Sequence, residues 1–241
     1  MSSINGHPVI PYSSASLMVG GIRLMFPRPV KPSASMAIKG LNIAQIKRNP
    51  DHPSDKGVLN NLVIQSCEFE RMVIFENPTK LSVLFKCKSG DAESDKFVDF
   101  VNKLDDKMVG LVSSDGINYP KDLGHVNMRY KPIVKEDQYN GITRMEIRAE
   151  IPLYDGKAKD TMFFEMTDDG VQAVKMSYEE FMEKFKHRPV VAIIEFPYMT
   201  VMNSGTKSIA VKPVVKQLLM MPVAKTDDAV QDNNCFKFLG F

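Results

Sequence analysis

Arg129, Tyr130 and Lys131 are consecutive in this chain, Lys135 and Tyr139 follow closely, and Phe85 lies among Lys80, Lys86 and Lys88. Cations interleaved with aromatic rings can neutralise phosphates and stack bases, the two interactions that hold a single-stranded polynucleotide. On an extended strand Arg129 and Lys131 share one face and Tyr130 takes the other, so one stacking face does not hold all three. For each such site the competing reading places the ring in the core and the cation in solvent. Tyr198, Lys207 and the N-terminal Arg23, Arg28 and Lys31 complete the candidate binding set.

Catalytic spacings are missing. Gly20-Gly21 is followed by no Gly-Lys-Ser/Thr, and the sequence has no strand-bound Gly-x-Gly-x-x-Gly, no Gly-x-Ser-x-Gly and no His-Glu-x-x-His. The carboxylate pairs Asp105-Asp106 and Asp168-Asp169 fall on an expected helix surface and in a turn, and His125 has no nucleophile beside it. Three cysteines, Cys67, Cys87 and Cys235, and four scattered histidines match no zinc or disulfide framework and fit a reducing compartment. The expectation is a binding protein, not an enzyme, with no metal and no cofactor.

Charge is unevenly spread. The 241 residues carry a net charge of +2, yet Arg23, Arg28, Lys31, Lys39, Lys47 and Arg48 precede the first acidic residue, Asp51, leaving a net of −4 on the rest. Residues 1–36 cluster Pro, Ser and Gly and read as a basic flexible arm. Its Ser-containing, acid-free composition is shared with organelle transit peptides, but the prolines disfavour the amphipathic helix those need. Residues 223–241 read as a loose polar tail ending in Phe236, Phe238 and Phe241.

The candidate residues need a scaffold, and the pattern between arm and tail is mainly β. Short β-branched and aromatic runs fill residues 36–88, with Asn77-Pro78 turning a hairpin between Met72–Phe75 and Leu81–Cys87. Phe97, Phe100, Val101, Leu104 and Met108 recur at helical spacing behind Ser94, predicting an amphipathic helix over 94–112 capped by Ser94. Residues 142–154 read as a strand with Arg144, Glu146, Arg148 and Glu150 on one face. Asp155-Gly156 and Asp169-Gly170 mark turns, and Ser177 with Glu180 forms a capping box that opens a second helix. Two long β runs, 188–202 and 206–222, meet across Asn203-Ser204-Gly205.

That last hairpin carries a resemblance. Pro189, Val190 and Val191, followed by Ser204, Gly205, Thr206, Lys207 and then Lys216, resemble single-stranded DNA-binding proteins of large nucleocytoplasmic DNA viruses, including the poxvirus phosphoprotein of that activity, and in outline the phage T7 counterpart. The resemblance implies an OB-fold-like antiparallel barrel over residues 37–222, with two amphipathic helices. It also implies sequence-independent coating of single-stranded DNA, or of RNA, during replication or repair, with self-association and replication proteins meeting the tail. A β-sandwich with inserted helices is the alternative architecture, and a viral coat protein whose basic arm contacts the genome is the alternative function. No apolar run reaches bilayer length, so the expected place is cytoplasmic or nuclear, including a viral replication site in host cytoplasm.

Overall fold

The computed structural model describes residues 3–4, 7–25, 41–48, 60–113, 129–139, 142–168, 170, 172–202 and 208–222. The chain enters through a two-stranded ribbon, β1 (Ser3–Ile4) and β2 (His7–Pro8), then β3 (Ile10–Pro11), α1 (Tyr12–Ala15) and a 3-10 turn, Ser16–Gly21. Next come β4 (Ile22–Met25), β5 (Leu41–Arg48), β6 (Asn60–Asn61), β7 (Val63–Phe69), β8 (Arg71–Asn77) and β9 (Lys80–Lys86). The long helix α2 (Ala92–Ser113) precedes β10 (Arg129–Lys131), β11 (Val134–Tyr139) and β12 (Ile142–Pro152). β13 (Met162–Met166), β14 (Ala173–Met176), α3 (Tyr178–Lys184), β15 (Val190–Met202) and β16 (Ser208–Met220) follow. Among the described residues no helix is long and apolar enough to cross a membrane.

The chain is mainly β with helices packed against it, as expected. All strands from β3 onward join one mixed sheet whose central path is β3-β7-β15-β16-β12-β9-β8, and the path is open. The β15–β16 hairpin is its spine. One edge of β16 runs antiparallel to β15, while the other is taken in turn by β10, β12 and β13, all parallel to it. β15 carries β5 and β7 on its far side. The expected hairpin across Asn77-Pro78 is present as β8 and β9, with Asn77 opposite Lys80.

One sheet face is covered by α2. Phe97, Phe100, Val101, Leu104 and Met108, the residues at helical spacing, are all fully buried. Phe69 stacks on Phe85 at 4.5 Å, Phe97 meets Phe69 edge-on at 5.7 Å, and Phe100 meets Phe196 at 6.2 Å. Each such aromatic contact adds to the burial of its rings. The cap differs from expectation. Asp91, not Ser94, accepts the hydrogen bond that starts the helix, from the Ser94 N–H at 2.8 Å, so α2 begins two residues earlier. A carboxylate one turn ahead is the better acceptor at the positive helix end, and Ser94 is itself buried. Cys67 and Cys87 are free and buried, and burial pushes the Cys87 thiol up to about 12, so neither is a reactive thiolate at neutral pH.

Part of the expected arm belongs to this body. Ile10, Ala15 and Ile22 are buried in the same core as α2, and the Tyr12 ring meets Phe97 at 6.1 Å. β3 pairs with β7, and β4 with β5. Pro8 and Pro11 end the short strands β2 and β3, and Gly20 and Gly21 close the 3-10 turn. The expectation of a flexible arm over 1–36 is therefore corrected for Ile10–Met25, and residues 26–36, like the tail at 223–241, lie outside the described residues.

Asp105 ties α2 to the segment after it. Its carboxylate accepts from the Tyr130 hydroxyl at 2.5 Å and from the Ile133 N–H at 2.8 Å. Burial pushes the Asp105 carboxyl up to about 6, against the pull of those hydrogen bonds, and the neighbouring Asp106 charge adds to the rise. The folded chain therefore takes up this proton before the unfolded chain does. The resulting stability is fully present below the ordinary carboxylate pKa and is lost as pH rises through about 6. Urea midpoints should gain the equivalent of up to about 2–3 kcal/mol from this group between pH 7 and pH 4. Asp105→Asn should lack that component; an identical pH profile in the variant would refute the assignment.

At α3 the capping box is present as expected: the Ser177 hydroxyl accepts from the Glu180 N–H at 3.1 Å, and Glu180 accepts from the Ser177 N–H at 2.8 Å. Phe181 and Phe185 are buried, with Phe181 against Phe163 at 4.6 Å. Ser177→Ala should cost about 1 kcal/mol in denaturant unfolding. A loss below a few tenths would mean that packing alone holds this helix.

Candidate nucleic-acid interface

The register assigns every strand residue to one face of the sheet. Residues directly opposite one another on paired strands point the same way, as do residues two apart on one strand. Across β8, β9 and β12 the face turned from α2 carries Val73 beside Leu84 beside Arg148, and Phe75 beside Ser82 beside Glu150. Arg71, Lys86 and Glu146 form the row on one side of these. β11 adds Lys135 opposite Glu146, and Asp137 opposite Arg144. Farther along, Glu150 faces Val214 on β16, Lys212 faces Tyr198 on β15, and Tyr198 faces Gln45 on β5. The opposite faces of the same strands supply Phe85, Ile147, Ala149 and Ile151 to the core.

This outer face concentrates positive charge that the chain as a whole lacks. Lys47, Arg71, Lys80, Lys86, Lys131 and Lys135 share it with Arg144, Arg148, Lys212 and Lys216, against the carboxylates of Glu70, Asp137, Glu146, Glu150 and Glu195. Two carboxylates organise the middle. Glu150 Oε1 holds Lys80 Nζ at 2.6 Å and Lys212 Nζ at 3.7 Å. Glu195 holds Lys216 Nζ at 3.0 Å and accepts from Asn61 Nδ2 at 2.6 Å, while Asn61 accepts in turn from Lys47. Lysines so tethered keep about a third of their side-chain surface open at Lys80 and Lys212, and far less at Lys216.

Two tyrosines flank the Glu150 cluster. Burial pushes the Tyr198 phenol up, and the Glu150 carboxylate and Tyr154 beside it add to the shift. Tyr154 is 48% exposed and opens a tight turn in which its N–H donates to Lys157 O at 2.8 Å and Lys157 N–H donates back at 3.1 Å. Asp155 at φ 53° and Gly156 at φ 74° supply the left-handed pair that such a turn requires. Tyr198 reaches the outer face through an irregularity. The register of β15 shifts between Glu195 and Tyr198, turning Phe196 fully into the core and Tyr198 outward, where strict alternation would put both on one side.

No protein-family model matches the sequence. No curated protein matches it either. Among solved structures, the single-stranded DNA-binding protein from bacteriophage Enc34, in a C-terminally truncated form, superposes with a TM-score of 0.37 at 12% identity, over 84% of this chain and 97% of that chain. The functional reading below therefore rests on this chain's own residues.

The outer face brings together only part of the sequence-derived set. Lys80, Lys86, Lys131, Lys135 and Tyr198 lie on it. The backbones of Arg23, Arg129 and Tyr139 pair opposite Lys47, Ser208 and Ile142. Arg28, Lys31 and Lys207 lie outside the described residues. Lys86 is largely buried between Asp137, at 2.9 Å, and Glu146, which leaves it little to offer a phosphate. Three residues are corrected. Phe85 is fully buried against Phe69 and cannot stack a base. Tyr130 is committed to Asp105 on the core side. Lys88 pairs with Glu68 at 2.5 Å in a separate cleft that also holds Asp91 and Glu93, a negative surrounding that repels phosphate.

Sequence reading missed Arg148, Lys212, Tyr154 and Phe75. Among the described residues Arg148 is exposed and makes no ion pair. The signal for Lys212 and Lys216 was their spacing of four around Val214, which on a strand is one face. Among the described residues no group of three or more His, Cys, Asp or Glu side chains is placed to hold a metal.

Proposed function

We propose that this protein binds single-stranded nucleic acid, with DNA as the principal ligand, across the outer face of its sheet and without reading sequence. The observation that carries the reading is the cluster in which Glu150 holds Lys80 and Lys212 beside two partly exposed tyrosines, Tyr154 and Tyr198. Tethered lysines meet phosphates at fixed positions, and tyrosine faces stack any base, at about 1–3 kcal/mol each. A carboxylate between two lysines repels the backbone and sends phosphates to its flanks. Tyrosine rings stack on the faces of unpaired bases, which a duplex keeps stacked on one another, so the arrangement favours a single strand. Coating of exposed strands during replication or repair is the role this chemistry serves, and the reading assigns the face no catalytic step.

Fluorescence anisotropy with labelled oligo-dT and with a duplex of equal length, across 25–300 mM salt, tests it. The expected result is tighter binding of the single strand, with log Kd depending on log salt at a slope of about 2–3, as for three or four neutralised phosphates. Equal affinity for the duplex, or no binding of either at the lowest salt, would overturn the reading.

A further inference from the structure

Phe75 is 51% exposed on β8, the strand that ends the central sheet path, and it shares a face with Tyr198. The register connects the two directly. Phe75 lies opposite Ser82, Ser82 opposite Glu150, Glu150 opposite Val214, and Val214 opposite Glu195, in a single row crossing β8, β9, β12, β16 and β15. Tyr198 sits just off the β15 end of that row, opposite Lys212. Four strand spacings of about 4.8 Å put roughly 19 Å between the two rings. Between them, flanking the row, stand Arg148 and Lys212 on one side and Lys80 on the other. An exposed ring at one end, a partly exposed ring at the other, and between them Arg148 and the two lysines held by Glu150, match a polyanion carrying stackable bases.

Building on the single-strand reading above, we infer that Phe75 is a second stacking anchor, so that the bound strand runs across the β-strands from Tyr198 to Phe75. Its phosphates pass Lys212 on β16, Arg148 on β12 and Lys80 on β9 on the way. The geometry fixes a minimum ligand. A stretched single strand covers at most about twice the 3.4 Å per nucleotide of a duplex strand, so bases on both rings are separated by about three to five nucleotides. A trinucleotide reaches one anchor, and an octanucleotide reaches both.

The test compares oligo-dT of three, eight and twelve nucleotides on wild-type protein, Phe75→Ala and Phe75→Tyr, at low salt. Phe75→Ala should weaken the eight- and twelve-nucleotide ligands about tenfold and the trinucleotide less than twofold, and Phe75→Tyr should restore the loss. Equal weakening at all lengths, or none, overturns the second anchor while leaving the Tyr198 site intact. If wild-type protein binds none of the three, the single-strand reading itself fails, which is a distinct result. Sedimentation of the free proteins provides the remaining arm. A change of mass in Phe75→Ala without a length-dependent affinity loss would assign the ring to contact between two copies and overturn the inference.

Discussion

Lys80→Gln combined with Lys212→Gln should weaken binding of a twelve-nucleotide oligo-dT roughly 10- to 100-fold near 100 mM salt and lower the log–log salt slope by about 1.4–2. The two ammonium groups are held by one carboxylate, and their removal leaves Glu150 as an unopposed negative charge in the middle of the path. The loss therefore exceeds that of two independent surface cations. Lys80 is itself partly exposed, so unfolding midpoints should move little. The discriminating control is Lys88→Gln, which alters a lysine of the separate acidic cleft and should leave affinity and slope unchanged. If the Lys88 variant loses as much as the double variant, the interface has been placed on the wrong surface.

Phe97→Ala should lower unfolding stability by about 3–5 kcal/mol, the range for a large aromatic removed from a packed core. The ring is fully buried and touches Tyr12, Phe69 and Phe100, so it joins the N-terminal segment, the sheet and its own helix. The cavity left behind cannot collapse from one side without pulling on the other two. Measured by urea unfolding, a loss under 2 kcal/mol would mean that the N-terminal segment is not packed as described. Tyr12→Phe gives a finer probe, since it keeps the ring contact and removes only the hydroxyl that donates to Glu93.

Much of the scaffold was legible because local pattern and tertiary role agree. Ser177 with Glu180, the Asp155-Gly156 turn, the Phe and Leu spacing of α2 and the β-branched runs of β15 and β16 each state their structure within a few residues. The binding face was harder. Phe85 was grouped with Lys86 because they are neighbours in sequence, yet on a strand adjacent residues point to opposite sides. The same alternation that turns Lys80 and Lys86 to the outer face buries Leu81, Val83 and Phe85 on the other. Tyr154 and Tyr198 come to the same Glu150 cluster only because β12 and β15 flank β16. That pairing joins segments distant in sequence and leaves no local trace. The outward turn of Tyr198 depends on a register shift that alternation contradicts, with Pro197 the one residue type hinting at it.

The spine position of β15 and β16 also governs how the protein is made. β5, β7, β10, β12 and β13 all complete their pairing on these two strands, which lie after them in sequence. Before residues 190–220 have left the ribosome the preceding strands can pair only in separate groups, β8-β9-β12-β11, β4-β5-β6, β3-β7 and β13-β14, and nothing joins these groups into one sheet. Such late, long-range closure makes folding slow and leaves unpaired strand edges exposed meanwhile. Chaperone demand during translation, and insolubility of any fragment ending before β15, are the cellular signature of that topology.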